Sequence, residues 1–267
     1  MICEYYIDLS AIMCYYSDII NNLNEKGSKR MLLYVIRHAD PIYNPDSLTE
    51  LGHEQAAALS RRLAVNGIDR AFSSPNMRAQ MTAQPTCKLL GLEYTIEDWM
   101  SENLAWKDFS CEFEDGSGRY SWTFHRQNSK LKYDDTIKSG GKWYESKYFT
   151  KVNAVEGYKR IADCSDDFTE RLGYKREDGG YRIIRPNNDR VAAFCHQGFG
   201  MIWLSYLLDI SPHLFLSSFD VSHSSVTILE FANYEDGYTA PKCLCLSDIS
   251  HIYESGLPMK YNNSIKI

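Results

Sequence analysis

Met31-Leu32-Leu33-Tyr34-Val35-Ile36-Arg37-His38-Ala39-Asp40-Pro41 is the stretch on which the fold turns. Leu32–Ile36 is a short apolar run, with the length and composition of a strand buried on both faces of a parallel sheet. Arg37 and His38 follow it directly, and Pro41 and Pro45 break any helix immediately afterwards. A buried strand that ends on an arginine and a histidine places both at the rim where open α/β sheets bind ligands.

Moving outward, Ser47-Leu48-Thr49-Glu50 reads as a capping box, with Glu50 three residues past Ser47. It opens a helix to about Asn66, with Leu48, Leu51, Ala58, Leu59 and Leu63 on one face and Gly67 as the stop. Ile68–Ser73 is a second strand, followed by a loop at Ser74-Pro75 and a helix from about Met77 to Leu90. Pro85 should kink that helix and Gly91 should end it. Glu93–Ile96 can form a third strand. Beyond the middle of the chain, a helix is predicted over Asn153–Leu172, a strand over Val191–Cys195, a helix over Phe199–Leu208, and strands over Ser225–Phe231 and Lys242–Ser247. Strands alternating with helices imply a three-layer α/β/α domain with a mostly parallel sheet.

The same rim rule gathers the candidate chemistry. His196 ends the strand Val191–Cys195, and Ser73-Ser74-Pro75 with Arg78 follows the second strand. Two histidines and two arginines on one rim suit a dianion: guanidinium forks bind phosphate oxygens bidentately, and neutral imidazole is a nucleophile near pH 7. Arg78 near a helix N-terminus is also electrostatically misplaced for stability, which favours a functional reason for it.

These motifs are similar to those of a known family. Ile36-Arg37-His38-Ala39 resembles the R-H-G signature of the histidine phosphatase (phosphoglycerate mutase-like) superfamily. Ser73-Ser74-Pro75-Asn76-Met77-Arg78-Ala79 with Thr82-Ala83 resembles its second arginine motif, and Cys195-His196-Gln197-Gly198 its second histidine motif. Leu48-Thr49-x-x-Gly52-x-x-Gln55-Ala56 is similar to its first helix, and Ser225–Glu230 with Ser247–Tyr253 to its closing segments. The resemblance implies that His38 attacks phosphorus, while Arg37, Arg78 and His196 hold the phosphoryl oxygens. Asn44 stands where the family often has a phosphate-contacting Asn, and Glu102 where one branch places its general acid. Asp40, Glu97 and Asp98 compete with Glu102 for that role, and His223 and His251 become candidates if the fold brings them to the rim. Ala39 departs from the usual Gly, tolerable where that residue avoids positive φ; Pro41 and Gln197 depart as well.

The expected function is therefore metal-independent hydrolysis of a small phosphorylated substrate through phosphohistidine. A mutase-type phosphotransferase and a catalytically decayed phosphate-binding module are the alternatives. No cofactor and no metal are implied. A formal charge of -6 argues against a nucleic-acid partner. No uninterrupted apolar run reaches the roughly 18 residues that a membrane span needs. The eight cysteines are scattered, without a C-x-x-C pair, as in a reduced cytoplasmic protein.

Residues 1–30 read as an N-terminal extension with a helix over Leu9–Leu23, and residues 31–267 as the enzyme domain. An insertion at about 106–150 lacks a clear period and is expected to form a lid or small subdomain. Between Arg119 and Lys151, Lys and Arg outnumber Asp and Glu eight to three, interleaved with Trp122, Phe124, Tyr133, Trp143, Tyr144 and Tyr148. Two readings stand: a solvated loop packed by its own aromatics, or a lid that steers an anion and stacks its organic portion.

Overall fold

The computed structural model describes residues 29–113, 115–126, 128–138 and 142–260; the expected helix over Leu9–Leu23 lies outside the described residues. The run around Leu32–Ile36 is the strand β1 (Arg30–Arg37), and its burial on both faces makes it central. The other strands of its sheet are β2 (Arg70–Ser73), β3 (Tyr94–Ile96), β4 (Arg190–Cys195), β5 (Val226–Ala232) and β6 (Lys242–Asp248), in the order β6-β5-β1-β4-β2-β3. The pairs β1–β4, β4–β2 and β2–β3 are parallel, and β5 alone runs against its neighbours. A mostly parallel sheet in an α/β fold is thus present, as the alternation of elements implies.

The period-2 alternation of side chains sorts the core into two layers. Leu33, Val35, Phe72, Val191, Ala193 and Phe231 face one side, where they meet helices α3 (Glu102–Phe109), α4 (Ala154–Leu172) and α5 (Gln197–Leu207). Tyr34, Ile36, Ala71, Ala192 and Phe194 face the other, against Leu59 and Leu63 of α1 (Glu50–Asn66) and Ala83 and Cys87 of α2 (Met77–Leu90). Trp99, Phe168, Phe199 and Trp203 interlock at ring-centroid distances of 5.2 to 5.8 Å, and the Trp203 indole N–H donates to Ser165 Oγ at 2.8 Å. A buried indole keeps such a partner because an unpaired N–H is costly.

The cap of α1 corrects the sequence reading. Ser47 is not the cap: it belongs to a hairpin, Pro41–Tyr43 with Asp46–Leu48, in which Leu48 pairs with Pro41. The pairing consumes Ser47 and Leu48 as extended residues, so Thr49 becomes the cap and its Oγ1 accepts from Gly52 N at 3.0 Å. Gly91 ends α2 in the left-handed conformation, and Pro85 sits within α2, which continues across it to Leu90. A second small sheet, Tyr174–Glu177, Gly180–Ile183 and Tyr238–Thr239, has no counterpart in the sequence reading.

The region expected as an insertion begins on α3, makes the hairpin Ser110–Glu112 with Tyr120–Trp122, and continues through short helical turns. Phe124, Leu131, Trp143 and Phe149 are buried in the same core as α4 and α5.

The first turn of α1 clasps the loop after His38. Thr49 N donates to Asp40 O at 3.0 Å, and Asp40 N donates to Gln55 Oε1 at 2.8 Å. A Cβ on Gly52 would stand 2.2 Å from Asp40 O. Helix propensity alone makes Gly→Ala favourable by about 1 kcal/mol. Here the backbone contact decides instead, and Gly52→Ala is expected to destabilise the protein by about 1–3 kcal/mol in denaturant unfolding. A stabilised variant would show that the loop yields freely to α1.

Candidate active site

The register of the parallel pair builds the site. Arg37 lies opposite Cys195, so the next residues, His38 and His196, leave adjacent strand ends side by side, with ring centroids 5.1 Å apart. Arg78 enters from the first turn of α2, which follows the neighbouring strand β2. Arg37, His38 and Arg78 line a cavity of about 500 Å³ with Glu102, and Tyr43, Asp46, Asn76, Asn103, Trp106, Trp122 and Gln197 complete its wall.

His38 is held from several sides. Its N–H donates to Cys195 O at 2.9 Å, its carbonyl accepts from Ser224 N at 3.0 Å, and its ring Nδ1 lies 2.8 Å from Ala39 O. A carbonyl only accepts, so Nδ1 carries the ring proton and Nε2 keeps a lone pair. Burial, with His196, Arg37 and Arg78 nearby, holds the imidazole well below its ordinary protonation range, so the ring is neutral. Ala39 has no positive φ, and its N–H donates to Thr82 Oγ1 at 3.0 Å, so the missing glycine costs the loop nothing in backbone strain.

Both arginines are buried. Arg37 Nη1 donates to Val221 O at 2.7 Å, and Nη2 to His223 Nε2 at 2.6 Å. Arg78 Nη1 donates to Asp46 Oδ1 at 2.8 Å, and the other Asp46 oxygen accepts from Met77 N. Asp46 therefore supplies the negative charge that the N-terminus of α2 favours and offsets the misplaced cation. Arg78 Nε and His196 Nδ1 are buried atoms without a hydrogen-bond partner among the described residues. Such orphans are rare, because an unpaired buried polar group costs about 1–3 kcal/mol. His196 Nε2 contacts Ser74 Oγ at 2.7 Å, and burial beside the two arginines keeps this ring neutral too.

Glu102, the first residue of α3, also reaches the cavity. Its carboxylate accepts from Gly198 N at 3.0 Å and Phe199 N at 2.8 Å, two buried donors of the first turn of α5 that have no acceptor within the helix. Burial nevertheless raises its pKa; those backbone donors and the arginines oppose the shift. The competing carboxylates are engaged elsewhere. Glu97 binds Arg171 and the Trp99 indole, Asp98 is exposed, and Asp40 accepts from Thr49 Oγ1 at 2.8 Å.

Asn44 is the sequence-derived candidate that does not join this group. It lies on the exposed turn of the hairpin before α1, outside the cavity lining, which Tyr43 and Asp46 reach instead. In a two-stranded hairpin side chains alternate in direction, and spacing from His38 does not reveal which ones turn inward.

His223 does reach the rim. Its ring lies 5.5 Å from that of His38, and burial together with Arg37 pushes its pKa down to about 3. It therefore stays neutral and accepts from Arg37. Behind it, Arg62 Nη1 donates to His251 Nδ1 at 3.3 Å, which leaves Nε2–H to donate to Ser224 Oγ at 3.0 Å. Ser224 is left-handed, φ 61°, and its own N–H holds the His38 carbonyl. His251 thus positions the loop that orients both Arg37 and His38. The string Ser222-His223-Ser224-Ser225 carried the signal only as small polar residues ahead of a strand.

Trp122 fits against α5 because residue 198 is glycine: a Cβ there would stand 2.3 Å from the indole. None of the described basic side chains between Arg119 and Lys151 lines the cavity. Arg119 pairs with Asp115, Lys132 donates to Ser218, and Lys138 pairs with Asp135. Trp106 and Trp122 do reach the site. Among the described residues no group of three or more His, Cys, Asp or Glu could hold a metal, and no helix is long and apolar enough to cross a membrane.

Comparison with known proteins gives a consistent result. A phosphoserine phosphatase from Entamoeba histolytica superposes with a TM-score of 0.54 at 19% identity, covering 83% of this chain and 99% of that one. A mycobacterial glucosyl-3-phosphoglycerate phosphatase gives 0.54 at 16%, covering 82% and 99%. The α-ribazole phosphatase of Shigella flexneri gives 0.52 at 19%, covering 82% and 97%. At these identities the likeness is one of fold. In sequence, a provisionally assigned phosphoserine phosphatase 2 of Hydrogenobacter thermophilus is 29% identical over 100 residues, 34% of this chain and 45% of the relative's length. The profile of the histidine phosphatase superfamily (branch 1) matches residues 33–146, a span that contains Arg37, His38, Arg78 and Glu102. Over residues 33–146 the chain is thus similar to the histidine phosphatase superfamily (branch 1), and its fold is that of the phosphatases it superposes on.

Proposed function

We propose that the protein hydrolyses phosphate monoesters through a phosphohistidine at His38, without drawing on a metal. The observation that carries this is the fixed tautomer of His38: Nδ1 bonded to the Ala39 carbonyl, Nε2 bare, beside two buried guanidiniums. Nε2 attacks phosphorus, forming the N–P bond as the ester P–O bond breaks and its electron pair goes to the departing oxygen. Arg37 and Arg78 offset the charge on the transferring oxygens, and His196 Nδ1 completes the cradle when Ser74 donates its hydroxyl proton to Nε2. Glu102, whose pKa burial raises, gives its proton to the leaving oxygen when it is protonated. Water then attacks phosphorus, loses a proton to the Glu102 carboxylate, and returns the N–P electrons to Nε2 as inorganic phosphate leaves. The phosphatase names of the proteins it resembles support hydrolysis over transfer to a second hydroxyl. The described cysteines, all free thiols, support a cytoplasmic setting.

Phosphate release from p-nitrophenyl phosphate in the presence of EDTA tests the chemistry. Wild type is expected to turn over, and His38→Ala to lose at least about 10³-fold in kcat. An active His38→Ala variant would assign the nucleophile elsewhere, and inactivation by EDTA would overturn the metal-free reading.

The proton inventory makes a separate prediction. His38 stays neutral far below pH 6.5, so acid does not disable the nucleophile. Glu102 must be protonated to act as the acid, so kcat is expected to fall as pH rises through its raised pKa. Glu102→Gln should lower kcat by about 100-fold and flatten that alkaline limb. A variant that keeps the wild-type limb would remove Glu102 from the proton transfer.

A further inference from the structure

The cavity divides into two chemically distinct halves. Arg37, His38 and Arg78 form the part suited to a phosphoryl group, and the rest of the wall comes from Tyr43, Trp106 and Trp122, the amides of Asn76, Asn103 and Gln197, and the carboxyl groups of Asp46 and Glu102. Arg37 and Arg78 are the cationic side chains among the described residues that line it, and a phosphate dianion uses both. Lys260, whose Nζ lies 3.8 Å from Asp40 Oδ2, is outside the lining. A carboxylate on the organic part of a substrate would face indoles, a phenol ring and neutral amides, beside the carboxylate of Asp46 and the carboxyl group of Glu102. Burying an anion there without a cation is strongly unfavourable.

The aromatic side chains come from three separate segments. The indoles of Trp106 and Trp122 stand at 89°, with centroids 4.9 Å apart, and Tyr43 lies across the Arg78 guanidinium at 5.4 Å. Trp122 is set by its contact with Gly198, so this wall is anchored on α5 rather than left on a loose loop. A volume of about 500 Å³ is within the range of pockets that hold a whole organic ligand, well beyond a lone phosphate.

Resting on the hydrolase reading above, we infer that the substrate is a phosphate monoester whose alcohol carries a planar, uncharged ring, bound against Trp106, Trp122 and Tyr43, and that esters of hydroxy acids are disfavoured. Ring faces against indole edges and faces supply the affinity, and the lack of a further cation beyond Arg37 and Arg78 among the described residues of the lining supplies the discrimination.

The test compares kcat/KM for benzyl phosphate, glycerol 3-phosphate and 3-phosphoglycerate. All three are alkyl esters, so leaving-group acidity does not bias the ranking. Benzyl phosphate is expected to exceed both others by about tenfold or more, and 3-phosphoglycerate to be the poorest. Trp106→Ala, at a partly exposed position that tolerates truncation, is expected to raise KM for benzyl phosphate about tenfold. The same variant should change glycerol 3-phosphate by less than about threefold. A wild type that prefers 3-phosphoglycerate, or a Trp106→Ala variant that loses equally on all three esters, would overturn the ring-binding site while leaving the hydrolase intact. Failure to hydrolyse any of them would instead overturn the hydrolase reading on which it rests.

Discussion

The parallel pairing of β1 with β4 is the constraint from which the site follows. Because Arg37 faces Cys195, the two chain segments leave the sheet together, and His38 and His196 emerge as neighbours rather than as residues more than 150 positions apart in sequence. Both strands are buried on each face and bonded on each edge, so a slip in register would move whole rows of apolar side chains to the wrong layer. The sheet thus holds the two imidazoles more firmly than loop contacts could. The loops that complete the site, at Ala39, at Ser74 and at Ser224, each bond back to that pair of strands or to the residues they carry.

Burying two guanidiniums and two imidazoles in one cavity carries a free-energy cost that the fold offsets in specific ways. The imidazoles stay neutral, which removes their share of the repulsion. Arg78 is partnered by Asp46, and Arg37 by a carbonyl and by a third neutral histidine, His223. What remains unmatched, Arg78 Nε and His196 Nδ1, is a pair of buried polar atoms beside the place where an anion would sit. A site organised in advance around a missing charge binds that charge without reorganising, which is the physical basis of electrostatic preorganisation.

The segment from Arg119 to Lys151 shows what composition leaves open. Of its described basic side chains, Arg119 and Lys138 pair with near neighbours and Lys132 reaches Ser218, while its aromatics enter the core. Phe124, Trp143 and Phe149 extend the core beneath α4 and α5, and Trp122 reaches the cavity because Gly198 leaves room for its ring. Net charge along a segment says nothing about the direction in which side chains point, and in a short hairpin that direction changes at every residue.

Much of the molecule was legible before any coordinates. The buried strands, the helices flanking them, the stop at Gly91 and the position of Arg37, His38, Arg78 and His196 at strand ends or helix starts all follow from near-neighbour chemistry: apolar runs, periodicity and glycine conformation. The hairpin turn at Asp178-Gly179, with φ of 49° and 79°, was equally open to reading as a two-residue Asp-Gly turn and marks a signal passed over. Other features required the tertiary structure. Thr49 rather than Ser47 caps α1 because the hairpin with Pro41–Tyr43 claims Ser47's segment, and Asn44 turns outward while Asp46 turns in. Glu102 is set apart from its rivals by the backbone donors of α5, nearly a hundred residues away, and His223 and His251 join the site through partners far along the chain. Local sequence determines which conformations and which reactive groups are available; packing decides which of those groups lose their water, meet a distant partner and thereby acquire a role.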